Sequence, residues 1–151
     1  MRRSIPLAAL AALIALPATA QSPLLTRDDS LAVGRKVVQL IYDSQIDSLW
    51  ARLGEQMRGA MGSPDALRQE IDGIAISLGT ESVVLLETVA PSEGGIRYTR
   101  EVRFDARPDD IRVWMFDIAS DGTIRNGTFQ SKGDVDRQKA QADSAANKPS
   151  N

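Results

Sequence analysis

Four polar residues interrupt otherwise apolar, alternating segments in the second half of the chain, and they are its best candidates for chemistry. They are Glu87, Arg100, Asp117 and Asn126. A carboxylate in apolar surroundings can act as a general base, and a tyrosine such as Tyr98 can donate a hydrogen bond to a developing oxyanion. A carboxylate beside an arginine is instead held in its ionised form. These residues therefore indicate either a catalytic group or a buried ion-pair network.

Residue types that support other chemistries are missing or badly placed. The chain has no histidine and no cysteine, which weakens the case for a histidine-based triad, a cysteine nucleophile or a transition-metal site. The aspartates between Asp105 and Asp121 lack the glycine and glutamate positions of a calcium loop. We therefore expect no metal site and no cofactor.

The N-terminus has the pattern of a secretory signal peptide. Two arginines precede an apolar run from Ile5 to Leu16, and Ala18-Thr19-Ala20 fits a signal-peptidase site. The run is shorter than the roughly 20 residues that span a membrane, so we expect cleavage after Ala20 rather than an uncleaved anchor. Because the chain has no cysteine for disulfides, this signal favours a bacterial periplasmic or secreted protein. With a formal net charge of −2 and no basic cluster, nucleic acid is not an expected partner.

The remaining sequence indicates one domain, residues 28–130, between a linker, residues 21–27, and a tail, residues 131–151. The tail is polar and Val135 is its one large apolar residue, so we expect it to be disordered or weakly helical. The first half of the domain has helical patterns. The expected helices start at Asp28 or Asp29, at Asp47 (with Leu49, Trp50, Leu53 and Met57 on one face) and at Ser63-Pro64, the last ending at Gly79.

Four segments with strand-like alternation follow the helices, separated by turn-forming sequences. They are ESVVLLETVA, IRYTREVRFDA, IRVWMFDIA and TIRNGTFQ, which begin at residues 81, 96, 111 and 123. Helices followed by a four-strand meander predict an α+β domain, with the N-terminal helices packed on a curved antiparallel sheet.

Antiparallel pairing of these strands places the four polar residues in one row. The expected turns are at Glu93-Gly94, around Pro108-Asp109 and at Asp121-Gly122. Arg100 then lies between Glu87 and Asp117, and Asn126 follows Asp117. The row is either a structural ion-pair network or the polar floor of a pocket closed by the helices. The candidate pocket residues are Glu87, Tyr98, Arg100, Asp117, Asn126, Tyr42 and Trp50.

The same register places aromatic and aliphatic residues, mixed with charged ones, on the outer face of the sheet. The candidate interface residues are Leu86, Trp114, Phe116 and Phe129, with Trp114 facing Phe129 across the last hairpin. An apolar patch with polar neighbours is typical of a partner surface. The alternative is a set of cross-strand aromatic pairs that only stabilise an exposed sheet.

The order of elements resembles that of the nuclear-transport-factor-like superfamily, also described as ketosteroid-isomerase-like or cystatin-like. The segments that carry the resemblance are YDSQIDSLWARLGEQMRGAMGS, LGTESVVLLETV, YTREVRF and VWMFDIASDGTIRNGTF, within residues 31–130. More narrowly, the chain looks like small bacterial domains of this superfamily that occur beside serine-hydrolase domains. The resemblance implies a cone-like fold and a homodimer formed through the outer sheet face.

Three functions follow as expectations. The first is an exported, non-catalytic module that binds a small apolar ligand or a protein partner, as a homodimer. The second is an isomerase- or dehydratase-like enzyme, which the resembled fold sometimes hosts, with Asp117 or Glu87 as base and Tyr98 as oxyanion donor. Arg100 disfavours this second function, because a flanking cation lowers the pKa of a carboxylate. The third is an accessory subunit of a separate hydrolase, docked through the aromatic sheet face.

Overall fold

The computed structural model describes residues 27–146, which form five helices and four strands. The elements are α1 (Arg27–Tyr42), α2 (Ile46–Arg52), α3 (Glu55–Met61), α4 (Pro64–Leu78), β1 (Glu81–Ser92), β2 (Gly95–Phe104), β3 (Arg107–Ala119), β4 (Ile124–Ser131) and α5 (Lys132–Ala146). The strands form one antiparallel sheet in the order β1-β2-β3-β4. The predicted α+β class, with helices preceding a meander, is confirmed, and α5 is an additional helix after the sheet.

The predicted signal peptide and its cleavage site lie outside the described residues. Between residues 27 and 146, none of the helices has the length and apolar character that crossing a membrane requires.

Local signals account for where α4 begins and ends. Ser63 caps α4, since its hydroxyl accepts a hydrogen bond from the backbone N–H of Ala66 at 3.1 Å, and Pro64 occupies the first helical position. Gly79 ends this helix with a positive φ of 76°. The helix predicted to run from Asp47 through Met57 is instead divided into α2 and α3.

The division lies at Leu53 and Gly54, which leave the helix to meet the sheet. Leu53 forms an isolated bridge with Ile124 at the start of β4, and the N–H of Gly54 donates to the carbonyl of Ile124 at 2.8 Å. Leu53 is buried in extended conformation at this point. A continuous helical period could not predict this break, because a tertiary contact with β4 produces it.

The hydrophobic core fills the space between the helices and one face of the sheet. Helix α1 contributes Val37, Val38, Leu40 and Ile41, and the sheet contributes Tyr98, Val102, Phe104, Trp114, Phe116 and Ile118. Tyr98 is fully buried and its ring stacks on that of Phe116. The core therefore determines which face of each strand is buried beneath the helices.

The first and third hairpins have the predicted pairing at the polar residues. Glu87 lies opposite Arg100 across the first hairpin, and Asp117 lies opposite Asn126 across the third. Trp114 and Phe129 also face each other, with ring centroids 4.1 Å apart. These pairings follow from short turns whose chemistry is visible in the sequence.

The predicted register of the second hairpin is wrong. Arg100 lies opposite Trp114, and Asp117 lies opposite Arg97 instead. The turn is not at Pro108-Asp109 but at Asp105-Ala106, so that Phe104 pairs with Arg107. The N–H of Asp105 donates to the carbonyl of Thr80, and the N–H of Thr80 donates to Oδ1 of Asp105, which ties this turn to the start of β1.

The shift reverses the two faces of β3, because it amounts to an odd number of residues. Trp114 and Phe116 lie beneath the helices and are buried, so their assignment to an outer interface is wrong. Phe129 is half-buried against the same core, whereas Leu86 on the edge strand is exposed. Asp117 lies on the face opposite to Arg100.

The C-terminal tail, which was expected to be disordered or weakly helical, contains the helix α5. The hydroxyl of Ser131 accepts a hydrogen bond from the N–H of Asp134 and so caps the helix, and Lys132 pairs with Asp136 one turn later. Lys132 also donates to Glu101 of β2 at 2.8 Å. Helix α5 has no buried residue, as its polar composition predicts.

Candidate functional site

Arg100 is a nearly buried cation held between two carboxylates. Its Nε and Nη2 donate to Glu81 at 3.2 and 2.5 Å, and its Nη1 donates to Oε1 of Glu87 at 2.7 Å. The side chains of these three residues are only 11–14% exposed. The sequence correctly predicted a guanidinium between two acids. The second acid, however, is Glu81 rather than Asp117.

Two irregularities in β1 bring Glu81 and Glu87 to the same guanidinium. The register of β1 against β2 shifts between Glu81 and Val83 and again between Val84 and Leu86. Each shift inserts a residue without a partner, so the chain from Glu81 to Glu87 spans fewer steps of the sheet than its length suggests. The two carboxylates consequently share one face and lie within reach of Arg100.

Glu87 receives hydrogen bonds from three side chains. Tyr98 donates to Oε1 at 2.5 Å, and Nε of Arg35 in α1 donates to Oε2 at 2.8 Å, in addition to the bond from Arg100. Burial alone would raise the pKa of Glu87, but the bonds from Arg35, Tyr98 and Arg100 outweigh this effect and lower it to about 2. Glu87 is therefore ionised at neutral pH and is a weak base.

Tyr42, at the end of α1, extends the network to Glu81 and the core. Its hydroxyl donates to Oε2 of Glu81 at 2.5 Å and accepts from Nε1 of Trp114 at 3.2 Å. Burial, together with the bond to Glu81, raises the pKa of Tyr42 well above its ordinary value. Burial and the bond to Glu87 do the same for the pKa of Tyr98. Both phenols stay protonated at neutral pH and act as donors to the acids.

Gly34 allows α1 to approach β2 closely enough for Arg35 to reach the sheet. A Cβ atom at Gly34 would overlap the ring of Tyr98, which is fully buried and has no space to move into. Glycine weakens a helix interior by roughly 0.5–1 kcal/mol relative to alanine. Its presence in α1 is explained by this close packing.

The network borders an open groove of about 610 Å³, which we call the ion-pair groove. Its walls are apolar and come from α1, α4 and β2: Val38, Ile41, Ile71, Ile74, Ala75 and Phe104. Its floor contains Arg100, Glu81 and Tyr42, and Arg35 lies at its rim with 59% of its side chain exposed. This volume lies within the range of roughly 300–1,000 Å³ that is common for small-molecule sites.

The structure gathers some of the predicted pocket residues and separates others. Glu87, Tyr98, Arg100 and Tyr42 form one hydrogen-bonded network, as described above. Trp50 lies on α2, half-buried against the core, and does not line the ion-pair groove. Asp117 and Asn126 line a different groove beside α3.

Asp117 has its own arginine in this second groove. Arg97 binds it with two parallel bonds, Nε to Oδ1 at 2.8 Å and Nη2 to Oδ2 at 3.0 Å. The bond from Arg97 lowers the pKa of Asp117. Its pairing with Asn126 is as predicted, but the second hairpin register removes it from Arg100.

Sequence reasoning missed Arg35 and Glu81. Arg35 carried no usable signal, because charged residues on helices usually face solvent. Glu81 did carry one: it lies six positions before Glu87, so a regular strand would already place both on one face.

The arrangement is suited to binding rather than to proton transfer. A general base at neutral pH needs a pKa near 7, whereas Glu87 is held far below this value. Within residues 27–146, no group of acidic side chains is positioned to hold a metal ion.

Comparison of the chain with protein-family models, with curated proteins and with solved structures finds no match.

Proposed function

We propose that this protein is an exported, non-catalytic module that binds a small ligand with an apolar body in the ion-pair groove. The observation that supports this proposal is the combination of apolar walls with a fixed polar floor. Arg100 is anchored by two acids and cannot move away without breaking its bonds to both of them. Because these side chains are already fixed, a ligand does not have to order them, and the free-energy cost of binding is smaller than at a flexible site.

The groove favours a binding role over the isomerase- or dehydratase-like alternative. Both oxygens of Glu87 already accept strong hydrogen bonds, and the hydroxyl of Tyr98 donates its hydrogen bond to that carboxylate and so is not available to a substrate. An oxyanion donor must point to the place where negative charge develops. Neither Glu87 nor Tyr98 meets its requirement here, and Asp117, the alternative base, is bound by Arg97 on the opposite face of the sheet.

Export and membership of the nuclear-transport-factor-like superfamily are part of the same proposal. Export is supported by the N-terminal sequence pattern. Superfamily membership is supported by the order of elements, with helices before a four-strand meander.

Binding in the groove can be tested with a neutral, apolar fluorescent probe such as N-phenyl-1-naphthylamine. Ala75 is an exposed residue in the wall contributed by α4, so Ala75→Phe fills the groove without a change in the core. We expect this variant to weaken probe binding about ten-fold or more. Ala51→Phe on the exposed side of α2 is the control and should leave binding unchanged. Absence of probe binding to the native chain, or equal binding to the Ala75 variant, contradicts the proposal.

A homodimer is a second candidate, supported by an aliphatic run on the edge strand. Val83, Val84, Leu85 and Leu86 are each 40–46% exposed, and among residues 27–146 the strand β1 has a neighbouring strand only on the β2 side. Across a two-fold axis, antiparallel packing of this run places Val83 beside Leu86 of the second copy, with no like charges facing each other. The two bulges make the backbone of β1 irregular. We therefore expect the two copies to meet through side-chain packing and not through a long run of backbone hydrogen bonds between their β1 strands.

Sedimentation velocity over a range of concentrations tests this candidate. We expect dimerisation of the native chain and its loss in Leu86→Lys. Ile76→Lys is the control, because Ile76 is an exposed apolar residue of α4 that is not part of the run in β1. A native chain that stays monomeric at high micromolar concentration contradicts the dimer.

A further inference from the structure

We propose that the ion-pair groove selects an amphipathic ligand whose polar head is uncharged, such as an alcohol, a ketone or an amide. This inference rests on the proposed ligand-binding function and adds the chemical class of the ligand. It follows from the way in which the charged groups of the groove are matched.

The charges of the network balance. Two cations, Arg100 on the floor and Arg35 at the rim, meet two anions, Glu81 on the floor and Glu87, which does not line the groove. All four are joined by hydrogen bonds at 2.5–3.2 Å. Neither acid lacks a cation, and neither cation lacks an acid. A charged head placed on this floor would lose hydration without gaining a counter-charge, which disfavours its binding.

The groove nevertheless offers partners to a neutral polar group. Besides the ion pairs, its lining includes the amide of Gln39 and the hydroxyls of Ser44 and Thr80. These groups both donate and accept hydrogen bonds, so they can satisfy a hydroxyl, a carbonyl or an amide. The apolar body then packs against the walls from α1 and α4, where aliphatic side chains predominate.

Because the charges are balanced, a single substitution should change which charge of the ligand head the groove prefers. Glu81→Gln removes one anion and leaves the floor with a surplus positive charge, so an anionic head gains a partner. Arg35→Gln removes the exposed cation at the rim and leaves a surplus negative charge, so a cationic head gains one. A ligand that bound with its head outside the groove would respond to neither change.

The test is a calorimetric titration with three probes that share one tail: octan-1-ol, octanoate and octylamine at pH 7. For the native chain we expect octan-1-ol to bind about ten-fold more tightly than either ion. Glu81→Gln should raise the affinity for octanoate, relative to octan-1-ol, about ten-fold. Arg35→Gln should do the same for octylamine.

Matched controls separate local charge from net charge. Glu55→Gln and Arg68→Gln make the same charge changes at exposed positions outside the groove and should leave the order of the probes unchanged. If Glu81→Gln does not fold, as judged by its thermal unfolding, Arg35→Gln still decides the question, because Glu87 keeps its bonds to Arg100 and Tyr98.

The outcomes distinguish the two levels of the proposal. If no probe binds the native chain, the proposed function fails and the ligand class fails with it. If the probes bind but an ion binds as tightly as octan-1-ol, only the ligand class is overturned. If octan-1-ol binds best but neither variant changes the order, the head does not lie on the ionic floor, and the ligand class is again overturned.

Discussion

Glu81 and Glu87 are six positions apart in β1, yet they lie opposite Phe104 and Arg100, which are four positions apart in β2. The two bulges between them take up the difference and carry both carboxylates to one guanidinium. Bulges often re-aim side chains next to functional sites, and here they create the floor of the groove.

Arg100→Met should destabilise the protein by about 3 kcal/mol, because two nearly buried carboxylates would lose their shared cation. Urea-induced unfolding at pH 7 measures the change. Arg97→Met is the matched control in the same strand: its partner is Asp117 and its side chain is 54% exposed, so we expect less than about 1 kcal/mol. Equal effects of the two substitutions would show that Arg100 has no special structural role.

Stability should fall in acid because of Glu87. Its pKa in the folded state is about 2, below the ordinary value of 4.5, so the ionised form favours folding. This contribution is complete above pH 4.5 and is lost as the pH falls towards 2. Glu87→Gln should flatten the dependence of unfolding free energy on pH in this interval. If the unfolding free energy of the variant depends on pH as steeply as that of the native chain, a group other than Glu87 causes the acid sensitivity.

Two glycines in helices should respond to alanine with opposite signs. Gly34→Ala should destabilise the protein by about 1–3 kcal/mol, because the added methyl overlaps the buried ring of Tyr98. Gly73→Ala in α4 meets no atom within 4 Å and should stabilise it by about 0.5–1 kcal/mol. Thermal unfolding of both variants is the measurement. Stabilisation by Gly34→Ala would mean that α1 does not pack closely on β2.

The contribution of the Asp105 side chain to the second turn can be tested by substitution. Asp105→Ala should cost about 1 kcal/mol, because its side chain accepts the N–H of Thr80 and ties the second hairpin to the start of β1. Asp109→Ala, in the segment first expected to form the turn, should change stability by less than about 0.5 kcal/mol. The reverse order in urea unfolding would support a turn at Pro108-Asp109.

Local chemistry in the sequence determined the order of helices and strands and the pairing of the first and third hairpins at their polar residues. The Ser63-Pro64 start of α4 and the Asp121-Gly122 turn act over a few residues, so no distant contact was needed to place them. The pairing of Glu87 with Arg100 follows from a similarly short turn. The contact between Glu87 and the nearly buried Arg100 was therefore predictable from the sequence.

The tertiary structure alone decided which face of β3 is buried and which second acid binds Arg100. The segment after Phe104 contains two candidate turns, and contacts with Thr80 and Leu78 favour the one at Asp105-Ala106. Pro108 has no backbone N–H to donate to the neighbouring strand, and the register between β2 and β3 is irregular beside it. Since side chains alternate along a strand, this odd shift turned Trp114 inward and Asp117 away from Arg100. Arg35 reached Glu87 only through helix packing, which no periodicity in the sequence encodes.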